Sequence, residues 1–387
     1  MLGIEKAYGN AAIQALLHAN RNLMEATVED ALRITPRYGK ADTLGLDAIS
    51  EISIATLVKE YDQHSILITE EQSEWPRLTS LPSNPRKFRT FFISDPTDRS
   101  AEFAKFLSGV SDKNQRVLDA MKDPEALARW EKDASSPAAI TGPFSAITCI
   151  RRGVPVLTVL VNYLTQEMFV ACSAGIFKVL INYEEKPPEV LTIDDVCSSG
   201  ERVNFGVPIN QYQGLKRFVT FLGAEGKTGY IENIRDSHLM GEIELQKSVL
   251  YGKPGGPSRV LYLSTILPPD QKIGFILANG EKIGEWIHWL PFIRFARSTQ
   301  DANKPILNIF EIWHPRPHTK EGVLMSTSPN YSVFRQVANG SMVVDVSMFQ
   351  RFSNPSKIRC TLLVCLNSND WAQQVVQRYG YRKIQLS

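Results

Sequence analysis

The chain has 387 residues, 43% of them hydrophobic and 22% charged, an ordinary composition for a globular protein able to bury a sizeable core in two lobes. A net charge of +2 gives no overall basic field for a nucleic-acid polymer, and no apolar run reaches membrane-spanning length. The N-terminus lacks a basic stretch followed by an apolar one, so no signal peptide is expected; the odd set Cys149, Cys172, Cys197, Cys360 and Cys365, without a CxxC pair, points to a reduced, cytoplasmic protein.

Ile13, Leu16, Leu17, Leu23, Met24, Val28 and Ala31 predict an amphipathic helix over about 10–33, ended by Pro36 and Gly39. A second helix is expected over about 46–61, with Leu46, Ile49, Ile52, Leu57 and Val58 facing inward. Ser65 to Ile68 reads as a short buried strand running into Glu70-Glu71, and the Pro-, Ser- and Arg-rich stretch 74–87 as a surface loop. Arg89 to Ile93 reads as a buried strand, while Ala101, Phe103, Ala104, Phe106 and Leu107 space like one face of a helix. The polar stretch 108–138 is a helical excursion, with Asp123-Pro124 as a helix start. Strands follow at Ser145–Ile150, Pro155–Val161 and Met168–Cys172, with turns at Arg152-Gly153 and Thr165-Gln166.

A lobe boundary falls between about 185 and 205, giving lobes of 1–200 and 201–387. In the second, Arg217–Leu222, Ile273–Leu277 and Thr361–Cys365 read as strands, and 259–266, Trp286–Phe295 and Asp370–Tyr379 as helices. Trp286, Trp289, Phe292 and Phe295 belong to the core rather than to a ligand cage. Gly223 to Thr228 misses the phosphate-loop spacing because Phe221 stands where glycine is needed. Glu311, His314 and His318 have a metal-like spacing, but Pro315 and Pro317 forbid a regular helix there and argue against zinc.

The segment that carries chemistry is Ser94-Asp95-Pro96-Thr97-Asp98-Arg99-Ser100. It places two carboxylates and a hydroxyl where a strand turns into a helix. Oxygen ligands suit Mg²⁺, and the first amides of a helix suit an anion. Asp47 near a helix start and Glu70 at a strand end can join Asp95 and Asp98 around one or two Mg²⁺.

The order Asp47, Ile-Leu-Ile-Thr-Glu70-Glu71, Asp95-Pro-Thr-Asp98-Arg-Ser100 resembles the inositol monophosphatase and fructose-1,6-bisphosphatase superfamily. Gly153 to Val156 resembles that family's Gly-x-Pro-Val hairpin, and Gly256-Pro-Ser258 its Gly-Ser-rich helix start. The resemblance covers about 40–107 and 140–180 and is loose elsewhere. It implies an α/β fold, a layered αβαβα sandwich with two lobes and a site between them. It implies Mg²⁺-dependent hydrolysis of a phosphomonoester on a small polyol, sugar or nucleotide, with two or three Mg²⁺ and Mn²⁺ as a substitute. Glu70, Asp95, Asp98 and the Thr97 carbonyl would hold metal, while Asp47, Glu70 and Ser100 would orient and deprotonate the attacking water. Two metals clamp the attacking and leaving oxygens. Arg99, Ser100, Lys40 and Ser258 would face the substrate, although Lys40 is equally read as solvated.

Three departures accompany the resemblance. Arg99 stands where the family has glycine; it either clamps phosphate through its fork or points into solvent. Ser100 replaces threonine and keeps the hydroxyl. The late Trp-Asp-x-Ala-Gly motif is absent, and Gly284-Glu285-Trp286 is its best counterpart, with Glu285 in place of the metal-binding Asp. The 108–138 excursion is read as a substrate-selecting lid, a surface decoration or an oligomer contact. The expected partner is a small phosphorylated substrate, with no nucleic-acid polymer, no membrane and a homodimer left open. The alternative function is a catalytically weak relative that binds a phosphorylated ligand, or an interaction protein that keeps only the fold.

Overall fold

A computed structural model describes residues 3–36, 41–62, 65–69, 90–134, 142–181, 191–203, 218–222, 249–252, 275–295, 308–313, 324–325, 332–345, 358–365 and 381–385. Contacts within the chain divide it into two units, Met1–Val203 and Asn204–Ser387.

The first unit is built on a sheet whose described strands follow chain order: β1 (Ile66–Thr69), β2 (Thr90–Asp98), β3 (Phe144–Arg151), β4 (Val154–Asn162), β5 (Glu167–Cys172), β6 (Gly175–Leu180) and β7 (Glu201–Arg202). Among them only β1 and β2 pair in parallel; the later neighbours are antiparallel. Tight turns make this meander. Arg152 and Gly153 join β3 to β4 at φ 52° and 81°, the left-handed pair whose twist matches that of the flanking strands.

Helices α1 (Gly3–Glu25) and α3 (Gly45–Tyr61) pack against this sheet, and the short α2 (Val28–Leu32) packs on α3. The single helix expected over 10–33 is two. Thr27 takes extended backbone and its hydroxyl accepts from the Asp30 amide at 3.0 Å, capping α2. Ala11, Ala12, Ala15 and Ala19 of α1 are buried, small residues on a helix that packs against α3, β3 and β4. Ile13, Leu16 and Leu17 form a core with Ile54, Val58, Phe92, Ile147, Val159 and Val170.

A second core joins Leu23, Met24 and Leu46 to three helices that follow β2: α4 (Ser100–Ser108), α5 (Val117–Met121) and α6 (Pro124–Ala134). The described part of the 108–138 excursion is fixed to the body of the unit. Backbone amides of Val28, Glu29 and Val117 donate to carbonyls of Gln115, Lys113 and Ala26 at 2.9–3.0 Å, and Trp130 of α6 packs edge-on against Phe103 and Phe106 of α4. Within the expected boundary stretch lies α7 (Ile193–Ser199), started by a capping box between Thr192 and Asp195.

The second unit holds a mixed sheet. Its described order is β16 (Tyr381–Ile384), β11 (Asn308–Ile312), β15 (Ile358–Cys365), β10 (Phe275–Lys282), β8 (Phe218–Leu222) and β9 (Val249–Gly252), with β12 (Leu324–Met325) beside β15. A hairpin of β13 (Phe334–Gln336) and β14 (Met342–Val344) forms its own ladder beside β16, where the Met342 amide donates to the Gln385 carbonyl at 2.8 Å. Helix α8 (Ile283–Phe295) lies on β10 and β15 and buries Trp289, Leu290, Phe292 and Ile293, the core role expected of Trp289 and Phe292. The helices expected at 259–266 and 370–379 lie outside the described residues. The chain is mixed α/β, with a large, mostly antiparallel sheet flanked by helices in the first unit.

Candidate active site

The Asp95–Asp98 segment is not a turn after the strand, as the sequence suggests, but the end of β2 itself. Asp95 pairs with Ala146 and Asp98 with Phe144, so three steps along β2 match two along β3. The extra residue makes a β-bulge at Pro96-Thr97, where a proline without an N–H is tolerated. Asp95, Thr97 and Asp98 are 6%, 4% and 9% exposed, so the acids are held inside the fold. β1 ends at Thr69, which pairs with Ser94. These are the residues that precede Glu70 and Asp95 in sequence; Glu70 itself lies outside the described residues.

Asp47 sits in the first turn of α3 and is 3% exposed. One turn later is Glu51, 1% exposed, whose Oε1 accepts from the Thr69 hydroxyl. The sequence reading missed Glu51 and placed Ile52 inward instead, yet Ile52 is 51% exposed. The buried stripe runs Asp47, Glu51, Ile54, Val58. Its i, i+4 spacing from Asp47 was the available signal; counting only apolar residues rotates the face by one position.

A single residue, Arg99, joins the bulge to α4. It takes the left-handed region at φ 67°, ψ 31°, a conformation that explains why a glycine would suit the position. Its side chain does not reach solvent: it is 1% exposed, its guanidinium stacks 5.0 Å from the centroid of the Trp130 ring, and Nη2 lies 3.3 Å from Glu102 Oε1. The solvated alternative is therefore overturned. Ser100 is the first residue of α4, and the Phe103 amide donates to the Arg99 carbonyl at 3.0 Å.

Tyr163, just after β4, lies beneath the bulge. Its hydroxyl donates to the Pro96 carbonyl at 3.2 Å and lies 3.0 Å from Ser50 Oγ of α3. Its ring stacks parallel to Phe103 of α4, with centroids 6.3 Å apart. Burial pushes the phenol up to about 12, against hydroxyls of Ser145, Ser50 and Thr97 that lower it.

Asp47, Glu51, Asp95 and Asp98 are all-oxygen donors, the set that suits Mg²⁺ rather than a softer metal. Buried carboxylates are costly without compensating charge. Among the described residues no group of three His, Cys, Asp or Glu is gathered closely enough to hold a metal ion. Glu285 is the third residue of α8 in the second unit. Lys40 and Ser258 lie outside the described residues, as do His314 and His318. Glu311 of the weighed zinc trio is buried in β11, where Ser332 Oγ donates to it at 2.5 Å; this is a satisfied structural acid.

No protein-family model and no curated protein matches the chain. Solved structures are similar to it at low identity. CysQ from Bacteroides thetaiotaomicron, a bacterial member of the inositol monophosphatase family, is 14% identical with a TM-score of 0.48, covering 75% of this chain and 87% of its own. Inositol monophosphatase from an Anabaena (Nostoc) species is 10% identical with a TM-score of 0.48, covering 96% of both chains. An IMPase/NADP phosphatase complexed with Mg²⁺ and phosphate is 10% identical with a TM-score of 0.40, covering 89% of this chain and 84% of its own.

Proposed function

We propose that the chain is a Mg²⁺-dependent phosphomonoesterase of the inositol monophosphatase type, acting on a small phosphorylated polyol, sugar or nucleotide. The observation that carries this reading is the bulged end of β2. It buries Asp95 and Asp98 together and delivers the chain, through one residue, to the N-terminus of the nine-residue α4. Glu70, Asp95, Asp98 and the Thr97 carbonyl would hold Mg²⁺, or Mn²⁺ in its place, and the sequence motif adds Glu285. When bound, the ions supply the positive charge that offsets negative charge developing on phosphoryl oxygens.

Asp47, with Ser100 and Glu70, orients a water and accepts its proton as the water oxygen bonds to phosphorus; the ester P–O bond breaks with its electron pair on the leaving oxygen, which takes a proton from solvent and departs as the alcohol. The first amides of α4 and the Ser100 hydroxyl donate to the phosphate oxygens, and Lys40 and Ser258 face the substrate. A reducing, cytoplasmic setting suits the thiols of Cys172 and Cys197, which remain unjoined with sulfurs 3.8 Å apart.

The test is inorganic phosphate release with Mg²⁺ from sugar phosphates, inositol phosphates and 3′-phosphonucleotides. Release from at least one class is expected, abolished by Asp95→Ala; retained hydrolysis in that variant would remove Asp95 from the metal site. A second reading, a ligand-binding relative with little turnover, is favoured by Arg99, whose guanidinium is engaged by Trp130 and Glu102. Saturable binding of a phosphomonoester, with no release from any of the three classes, would select it.

A further inference from the structure

Three elements must stay in register for the proposed site to work: the β2 bulge with Asp95 and Asp98, helix α3 with Asp47, and helix α4 with its anion-facing end. One side chain touches all three. Tyr163 is fully buried, and its backbone is fixed on both sides. Its amide donates to the Pro143 carbonyl at 3.0 Å, and its carbonyl accepts from Gln166 Nε2 at 2.7 Å. The phenol hydroxyl donates to the carbonyl of Pro96, the residue between the two acids' ends of the bulge, at 3.2 Å. It also lies 3.0 Å from Ser50 Oγ, between Asp47 and Glu51 in the sequence of α3. The ring lies against Phe103 in the first turns of α4, the two planes 9° apart. Bulges are soft points of a sheet, because the extra residue is left out of the ladder. A buried donor on the bulge carbonyl is therefore what fixes its shape.

We infer that Tyr163 is the positioning residue of this site, its hydroxyl holding the Asp95–Asp98 bulge against the Asp47 helix so that Asp95 and Asp98 are presented to a divalent cation in one geometry. The inference rests on the proposed metal-dependent function. It adds a residue that touches neither substrate nor metal and that acts through the Pro96 carbonyl and Ser50. Groups that orient metal ligands from behind typically change metal affinity by about 10–100-fold when removed.

The experiment compares wild type, Tyr163→Phe, Ser50→Ala and Thr148→Val. Tyr163→Phe keeps the ring and removes the hydroxyl. Ser50→Ala removes the other end of the contact and favours the helix, so it keeps the test informative should the phenylalanine variant fold poorly. Thr148→Val removes a buried hydroxyl pair with Thr158, 2.7 Å apart in the β3–β4 ladder, and serves as a control for stability loss alone. Mn²⁺ affinity is read by titration, and kcat and KM by phosphate release. The expected result is Mn²⁺ binding weakened about tenfold or more in Tyr163→Phe and in the same direction in Ser50→Ala. With it, kcat falls at saturating substrate and KM is little changed, while Thr148→Val binds Mn²⁺ as wild type does. Wild-type affinity and kcat in a folded Tyr163→Phe would overturn this inference and leave the proposed function standing. An equal loss in Thr148→Val would also overturn it, since the effect would then be general destabilisation. A wild type that binds no Mn²⁺ and releases no phosphate would overturn the proposed function itself, and the inference with it.

Discussion

Arg99 holds a left-handed backbone conformation, which costs an L-residue about 1–2 kcal/mol. Against this, its guanidinium lies over the Trp130 ring, a contact worth about 0.5–2 kcal/mol. The two effects nearly cancel, so Arg99→Gly is expected to move folding stability by less than about 1 kcal/mol. Trp130→Ala should cost about 3–5 kcal/mol, because the ring is 2% exposed and packs on Phe103 and Phe106. Urea midpoints decide it: equal losses in the two variants would mean that the backbone strain is not relieved by glycine. The special conformation of position 99 was legible in sequence, since the residue stands where the family that the sequence resembles has a glycine. The destination of its side chain was not, because Trp130 reaches it only through tertiary packing of α6 on α4. A second residue-scale expectation concerns thiols. The Cys172 and Cys197 sulfurs lie 3.8 Å apart, and this contact lowers the Cys197 pKa against the opposing effect of burial. That same contact, with burial, raises Cys172, and burial raises Cys149. Among the described cysteines, Cys197 should therefore react first with iodoacetamide at neutral pH, with a rate–pH midpoint below the ordinary thiol value of about 8.5. Peptide mapping that finds Cys149 or Cys172 alkylated first would reverse this assignment.

Helix placement sets where the acids sit, and two glycines test it. A Cβ on Gly45, the first residue of α3, would lie 1.9 Å from the Asp30 carbonyl oxygen, so α2 and α3 approach each other closely at this point. Gly45→Ala must push the start of α3 away, and Asp47 with it; overpacking of this kind costs about 1–3 kcal/mol. Gly284 of α8 has nothing within 4 Å of such a Cβ, and Gly284→Ala should stay within about 0.5 kcal/mol of wild type. Thermal unfolding of the two variants checks the contrast, and similar losses would refute the close α2–α3 approach. Much at this scale could be read from the chain. The apolar runs of β3, β4 and β5 and the short turns between them are local signals, and the meander follows from them. The helix of α3 was legible too, and of its expected inward residues Leu46 and Val58 are buried; Ile52 was misplaced, because the buried face also carries Asp47, Ser50 and Glu51. A polar stripe defeats a count of apolar residues. The bulge was also invisible: its register depends on which residues of β3 stand opposite β2. In the second unit β10 pairs in parallel with β8, and β11 pairs with β15 and β16; such non-local pairings leave no short-range mark.

For the whole molecule, the proposed metal site makes stability depend on cation concentration. Asp47, Glu51, Asp95 and Asp98 have at most 9% exposure, and buried charge opposes folding unless it is offset. A cation that binds only the folded chain adds RT ln(1 + [L]/Kd), about 2.7 kcal/mol at a hundredfold excess over Kd. The thermal midpoint should therefore rise with Mg²⁺ and level off, while Na⁺ at matched ionic strength gives no such rise. Asp95→Asn tests this directly. It keeps the side-chain shape and removes a carboxylate that the proposed site offers to the ion. With Mg²⁺ it should gain little, so the difference between the two proteins grows in favour of wild type as the ion is added. Asp119→Asn, a change in a half-exposed acid paired with Arg116, should leave the Mg²⁺ response intact. The growing difference is the diagnostic part, because an ordinary destabilising substitution lowers both curves together. A wild-type midpoint indifferent to Mg²⁺ across the titration, or an Asp95→Asn protein that gains as much as wild type, would show that these acids do not gather a cation.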